Sequence, residues 1–160
     1  MEKTAHKVVD RRELSQLLHR WRLRGDRIVF TNGCFDLLHS GHLQVLHEAE
    51  AHGDRLVVGL NSDASVKRLK GEDRPVKSEQ ERALCLAAMW MTDAVVIFEE
   101  DTPLQLIEDI QPDVLVKGGD YKENEIVGAD VVRKRGGEVA VVDLVPGLSS
   151  TAWIEKLKKS

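Results

Sequence analysis

The segment Thr31-Asn-Gly-Cys-Phe-Asp-Leu-Leu-His-Ser-Gly-His42 sets two imidazoles three residues apart, where an apolar run gives way to a helical pattern. A helix N-terminus presents unpaired N–H groups and a partial positive charge, so it receives phosphates. His39 and His42 placed there can donate hydrogen bonds to phosphoryl oxygens, and Gly41 between them allows close backbone approach. Two other chemistries fit the same residues. A His-x-x-His pair is half a zinc site, with Cys34 or His47 the nearby candidate for a third ligand, although no second ligand cluster follows. Cys34 is also a candidate thiol nucleophile, although spacing indicates no base for it.

Three further segments carry polar chemistry. Lys67, Arg68 and Lys70 follow an apolar strand and precede a segment, Gly71 to Lys77, expected to be a mobile loop. They are either phosphate ligands or solvated loop charges. Lys117-Gly-Gly-Asp-Tyr121 closes another apolar run, with glycines that let the backbone approach a flat base or ribose; a plain turn is the alternative. Gly147-Leu-Ser-Ser-Thr151 opens the last helical stretch, where hydroxyls and free N–H groups suit phosphates and where Ser149 also suits a simple N-cap. Gly71-Glu-Asp-Arg-Pro-Val-Lys-Ser78 has the wrong spacing for a P-loop, and the chain lacks G-x-G-x-x-G.

The elements that must position these residues are legible as alternation. Leu14, Leu17, Leu18 and Trp21 form one apolar helix face. Strands are predicted at Arg27–Thr31, Leu56–Leu60, Ala94–Phe98, Val114–Val116 and Glu138–Asp143. Between them the pattern predicts helices at Gly41–Ala51, at Ala83–Trp90 after the capping box Ser78-Glu-Gln-Glu81, after Thr102 as N-cap with Pro103 at the first helical position, and at Gly128–Arg135. A last helix follows Ser149. Gln111-Pro112 and Gly136-Gly137 are expected to stop helices. Continuous apolar strands separated by helices imply an α/β fold: a doubly wound, Rossmann-like five-stranded parallel sheet with helices on both faces. Ligands in such folds bind beyond the carboxyl ends of the strands, where all of these segments fall.

The 160 residues suit one domain, 1–160, with residues 1–25 a helical extension packed on it. Hydrophobic residues at 42% and charged residues at 31% argue against disorder, and a net charge of −4 argues against a nucleic-acid partner held by bulk charge. Two cysteines make no disulfide framework, and the N-terminal residues lack the apolar run of a signal peptide. No stretch is long enough to cross a bilayer. The expectation is a cytoplasmic protein that needs neither membrane nor nucleic acid.

Gly33-Cys-Phe-Asp36 followed by His39-Ser-Gly-His42 resembles the signature of the nucleotidyltransferase superfamily that includes the cytidylyltransferases. Asn61-Ser-Asp-Ala-Ser-Val-Lys-Arg-Leu-Lys-Gly71, Arg74-Pro75, Phe98-Glu-Glu-Asp-Thr-Pro103 and Val116-Lys-Gly-Gly-Asp-Tyr121 resemble one branch, the adenylyltransferase half of bacterial ADP-heptose synthases. The similarity runs from about Lys7 to Leu157, and no sugar-kinase half is expected. The resemblance implies transfer of an adenylyl group from ATP to D-glycero-D-manno-heptose 1-phosphate, with release of pyrophosphate, for lipopolysaccharide or another surface glycan.

By the same resemblance, His39, His42 and Lys70 are catalytic. Thr31, Asn32, Gly33, Cys34, Phe35, Lys117, Gly118, Asp120, Ser149, Ser150 and Thr151 join the two histidines around the nucleotide. Asp36, Asn61, Lys67, Lys70, Arg82 and Tyr121 contact the substrate, Arg82 as a phosphate ligand; its alternative is a surface salt bridge on a helix. No protein metal site is expected, and Mg²⁺ arrives on the ATP phosphates. Homodimers are common in this superfamily. Ser150 stands where relatives often have Thr, and Lys156 where the wider superfamily often has Arg; Lys lacks the bidentate fork, so Lys156 is not counted as a site. Two rival readings remain: a cytidylyltransferase acting on glycerol 3-phosphate or a related alcohol phosphate, and a nucleotide-binding module without turnover. The Lys117 and Phe98 segments argue against the first, and the full set of phosphate-contacting groups against the second.

Overall fold

A computed structural model describes residues 2–119, 121–122, 125–143 and 154. Five parallel strands, β1 (Ile28–Gly33), β2 (Arg55–Asn61), β3 (Ala94–Phe98), β4 (Val114–Gly118) and β5 (Glu138–Val142), form one sheet in the order β3-β2-β1-β4-β5. The helices are α1 (Glu2–Ala5), α2 (Arg11–Leu23), α3 (Ser40–Glu50), α4 (Asp63–Lys70), α5 (Glu79–Ala87), α6 (Leu104–Ile110) and α7 (Ala129–Lys134).

Alternate strand residues point to opposite faces. Ile28, Phe30, Val57, Val96 and Leu115 pack with Leu14, Leu18 and Trp21 of α2, Leu106 and Ile107 of α6 and Val132 of α7. Val29, Leu56, Val58, Leu60, Val95 and Val116 pack with Val45, Leu46 and Ala49 of α3 and Ala83 and Leu86 of α5. Both faces are thus covered, as the continuous apolar runs require. The N-terminal extension belongs to the first core, where Trp21 is buried under the Arg55 guanidinium, 5.7 Å from the ring centre. The segment before α2 adds a parallel bridge, Val8 to Val95, along the outer edge of β3. Among the described residues no helix is long and apolar enough to cross a membrane.

Several boundaries differ from the sequence reading. Pro103, not Thr102, is the residue flanking α6: its carbonyl accepts the Ile107 N–H at 2.9 Å, and no side chain caps the helix. Gln111 leaves α6 in the left-handed region at φ 50°, since Pro112 bars it from continuing the helix. The capping box at Ser78 forms as expected, but α5 starts at Glu79 and ends at Ala87, leaving Trp90 69% exposed. Gly128 sits outside α7 at φ 84°. The sequence reading lacked α4. Ser62 caps it by accepting the Ser65 N–H at 3.1 Å, so Lys67, Arg68 and Lys70 lie on the last turn of a helix rather than in a loop. The helix predicted after Ser149 lies outside the described residues.

β1 pairs with β2 along its whole length, but its pairing with β4 stops at Phe30↔Leu115. Beyond that point the two central strands part. They are the neighbours at which the strand order reverses, the place where doubly wound sheets open a crevice.

Candidate functional site

The crevice between β1 and β4 is a cleft of about 540 Å³, walled by the N-terminus of α3, the end of α4 and the segments following β3 and β4. It gathers Thr31, Asn32, Gly33, Cys34, Phe35, Asp36, His39, His42, Asn61, Lys70, Lys117, Gly118 and Tyr121 from the expected set. Lys67 and Arg82 do not line it. Asp120, Ser149, Ser150 and Thr151 lie outside the described residues.

His39 is the residue before α3; its backbone is extended and its carbonyl accepts the His42 N–H at 2.9 Å, while its side chain makes no cap. The ring is therefore free to stack on His42, with centroids 3.9 Å apart and planes 29° from parallel. Phe35, held at φ 45°, backs the pair with its ring 5.1 Å from that of His42. The Nδ1 atoms of both histidines are buried without a hydrogen-bond partner. Burial, together with the neighbouring His39, depresses the His42 pKa to about 4, and burial lowers that of His39. The pair is therefore neutral at pH 7, each ring with a nitrogen to offer a ligand. A negatively charged group placed on them favours their protonated forms.

Lys117 projects from the end of β4 into the cleft, and among the described residues its side chain has no ion pair or hydrogen bond. Burial pushes its pKa down to about 8. A lysine with no carboxylate partner among the described residues of a cleft suits an anionic ligand. Lys70, at the end of α4, is exposed at the mouth of the same cleft. Cys34 faces it too, but burial raises its thiol pKa against the opposing influence of Lys70, Arg82 and Arg74, so the thiolate a nucleophile needs is disfavoured.

Two buried clamps hold the floor. Asp36 accepts hydrogen bonds from Arg74 Nε at 2.7 Å, Val76 N at 2.8 Å and Lys77 N at 3.2 Å. Its carboxylate is thereby engaged by Arg74, Val76 and Lys77 of the segment Gly71 to Lys77, the loop expected to be mobile. Arg82, 1% exposed, donates to the carbonyls of Cys34, Asn61 and Lys77 at 2.6, 2.8 and 3.0 Å and to the Asp63 carboxylate at 2.7 Å. Four of its five N–H groups are spent on the ends of β1 and β2, on the loop before α5 and on Asp63 at the start of α4. Arg82 therefore does not line the cleft, and its ion pair with Asp63 is made by a buried guanidinium rather than on the surface of a helix.

Sequence reasoning assigned no place in the site to Arg74, or to Asp101, Thr102 and Pro103, which also line the cleft. Both belong to segments that carried the family resemblance, and that was the available signal. Asp101 is held by Arg68 Nε at 2.7 Å. Val45, Leu69 and Val127 add an apolar lining that periodicity could not distinguish from core. Among the described residues no group of three or more His, Cys, Asp or Glu is placed to hold a metal ion. The zinc alternative for His39 and His42 therefore lacks a third ligand there.

A family model described as cytidylyltransferase-like matches residues 30–156. Relatives include the bifunctional protein HldE of Mesorhizobium japonicum, 55% identical over 157 residues that make up 97% of this chain and 32% of the relative. The bifunctional protein HldE of Koribacter versatilis is 59% identical over 150 residues, 94% of this chain and 31% of the relative. The chain thus spans about a third of the length of these curated relatives. The crystal structure of the lipopolysaccharide core biosynthesis protein from Thermoplasma volcanium is similar with a TM-score of 0.61 and 28% identity, covering 76% of this chain and 98% of that one. Pantoate-beta-alanine ligase from Francisella tularensis, solved with beta-gamma ATP and beta-alanine, shares the fold, with a TM-score of 0.62 at 13% identity over 96% of this chain and 79% of that one.

Proposed function

The chain belongs to the cytidylyltransferase-like family and is a nucleotidyltransferase; from that premise we propose that it transfers an adenylyl group from ATP to D-glycero-D-manno-heptose 1-phosphate, giving ADP-heptose and pyrophosphate. The observation that carries the reading is the stacked His39–His42 pair facing the same cleft as Lys117, with neither the Nδ1 atoms nor the lysine partnered among the described residues. The choice of adenine and of heptose rests on the branch-specific segments around Arg74, Asp101 and Lys117 and on the extent of likeness to the HldE proteins. A role in surface-glycan synthesis fits the similarity to the Thermoplasma protein.

An oxygen of the sugar phosphate attacks the α-phosphorus, the new P–O bond forms opposite the bridging oxygen, and the bond to that oxygen breaks to release pyrophosphate. The attacking oxygen is already anionic, so no general base is needed. The protein must bring two anions together and offset charge on the transferring group. His39 and His42, with the free N–H groups of the first turn of α3, hold the triphosphate; Lys117 and Lys70 offset the remaining charge. Mg²⁺ enters as part of the substrate, the magnesium complex of ATP. The cleft carboxylates Asp36 and Asp101 are already held by Arg74 and Arg68.

A matrix of ATP, CTP and other nucleoside triphosphates against heptose 1-phosphate, glycerol 3-phosphate and other phosphates, read as pyrophosphate release, tests the reading. Fastest release is expected for ATP with heptose 1-phosphate. A preference for CTP with an alcohol phosphate, or no release from any pair, would overturn it.

A further inference from the structure

The cleft has two chemically different halves. His39 just before α3 and His42 in its first turn lie on the side of the sheet where Val45 and Leu46 pack with Val29 and Val116. Asn32 and Lys117 project from the other face, since they follow Phe30 and Leu115 by two residues each and those belong to the opposite core. They are also neighbours across the crevice, two residues past the last β1–β4 pair, Phe30↔Leu115. Gly59, the β2 partner of Asn32, leaves it room: a Cβ there would lie 2.8 Å from Phe30 Cζ and 3.2 Å from Asn32 Cβ.

These two side chains ask for different things. Lys117 has no anionic partner among the described residues. The Asn32 Oδ1 atom is buried with no hydrogen-bond donor among the described residues. An unpaired buried acceptor is costly until something donates to it. A polyphosphate tail satisfies Lys117 but has no donor for Asn32. The ligand that satisfies both carries a negative group and, beside it, a hydroxyl. Paired strands lie about 4.8 Å apart and these two are parting, a span that suits a phosphate and a hydroxyl on the adjacent ring carbon.

We propose that Asn32 is a specificity residue for the acceptor: its side-chain oxygen accepts a hydrogen bond from the sugar hydroxyl on the carbon next to the one bearing the phosphate, while Lys117 faces that phosphate. This differs from the nucleotide role that family resemblance implies for both residues, and it rests on the adenylyl-transfer reading above.

The test compares kcat/KM for heptose 1-phosphate and its 2-deoxy counterpart in the wild type, Asn32→Ala and the volume-filling Asn32→Leu. The wild type is expected to prefer the hydroxylated sugar by about 10- to 100-fold, the scale of one buried hydrogen bond. In both variants that ratio falls to within about threefold of one, while KM for ATP, which also reports an intact fold, stays within about twofold. A ratio unchanged by the substitutions, or a rise in KM for ATP instead, overturns the proposal while leaving the reaction in place. No pyrophosphate from the wild type with any pair overturns the reaction and the proposal together.

Discussion

At the scale of single residues, the two imidazoles and Lys117 are neutral or cationic groups awaiting an anion, and their titration exposes that. His42 has a folded-state pKa of about 4 against an ordinary 6.5. The unfolded chain binds more protons between these values, so stability falls as pH drops from 6.5 toward 4. A bound triphosphate raises the histidine pKa values, so nucleotide affinity should increase as pH falls from 7 to 5.5, with proton uptake measurable by calorimetry in buffers of different ionisation enthalpy. His42→Ala should remove most of this pH dependence. It should also lose at least ~10²-fold in kcat with an unchanged circular dichroism spectrum, because the ring acts on charge that develops during transfer. Turnover within threefold of wild type would contradict that role. Lys117, with a pKa near 8, is cationic at pH 7 and loses its charge above 8. The kcat/KM profile should therefore decline above about pH 8, and Lys117→Arg, which cannot deprotonate in this range, should shift the decline beyond pH 10.

The elements are held in register by side chains that sequence reading treats as surface. Arg82 of α5 ties the ends of β1 and β2 through carbonyls 48 and 21 residues away. Arg82→Met leaves three carbonyls and the Asp63 carboxylate without their donor, which should cost on the order of 3 kcal/mol, read as a lowered denaturation midpoint. Turnover should fall as well, because the strand end that carries Cys34 and the histidine segment loses its brace. A stable but inactive variant would instead point to direct contact with substrate. Such long-range bonds leave no local trace in a sequence, and for that reason Arg82 reads there as a phosphate ligand or a surface salt bridge on a helix. The helix α4 was missed for a different reason. Only Ser65 and Val66 of it are buried, so its apolar face is too narrow to register as periodicity. The five strands and the helices α2, α3 and α5 were legible because their signals are local: apolar runs, one-sided leucines, and a capping box at Ser78.

For the whole molecule, the two cores flank a sheet whose central strands separate at one end, and the cleft is that separation. Leu18 of α2 lies in the core on the α6 and α7 face, at the N-terminal extension. Leu18→Ala should cost about 2–5 kcal/mol in unfolding free energy while KM for ATP stays within about twofold, since the cavity opens away from α3. The doubly wound architecture, and the placement of chemistry at the carboxyl ends of the strands, followed from composition and pattern. Which two strands part did not, because strand order is set by packing between distant segments. Adenylyl transfer in this cleft requires that the parting of β1 and β4 leave a polyphosphate lying against His39 and His42. A crystal structure with magnesium and a nonhydrolysable ATP analogue tests this directly. The account predicts phosphoryl oxygens within hydrogen-bond distance of both imidazoles and over the first turn of α3. A triphosphate bound with neither ring in contact would contradict it.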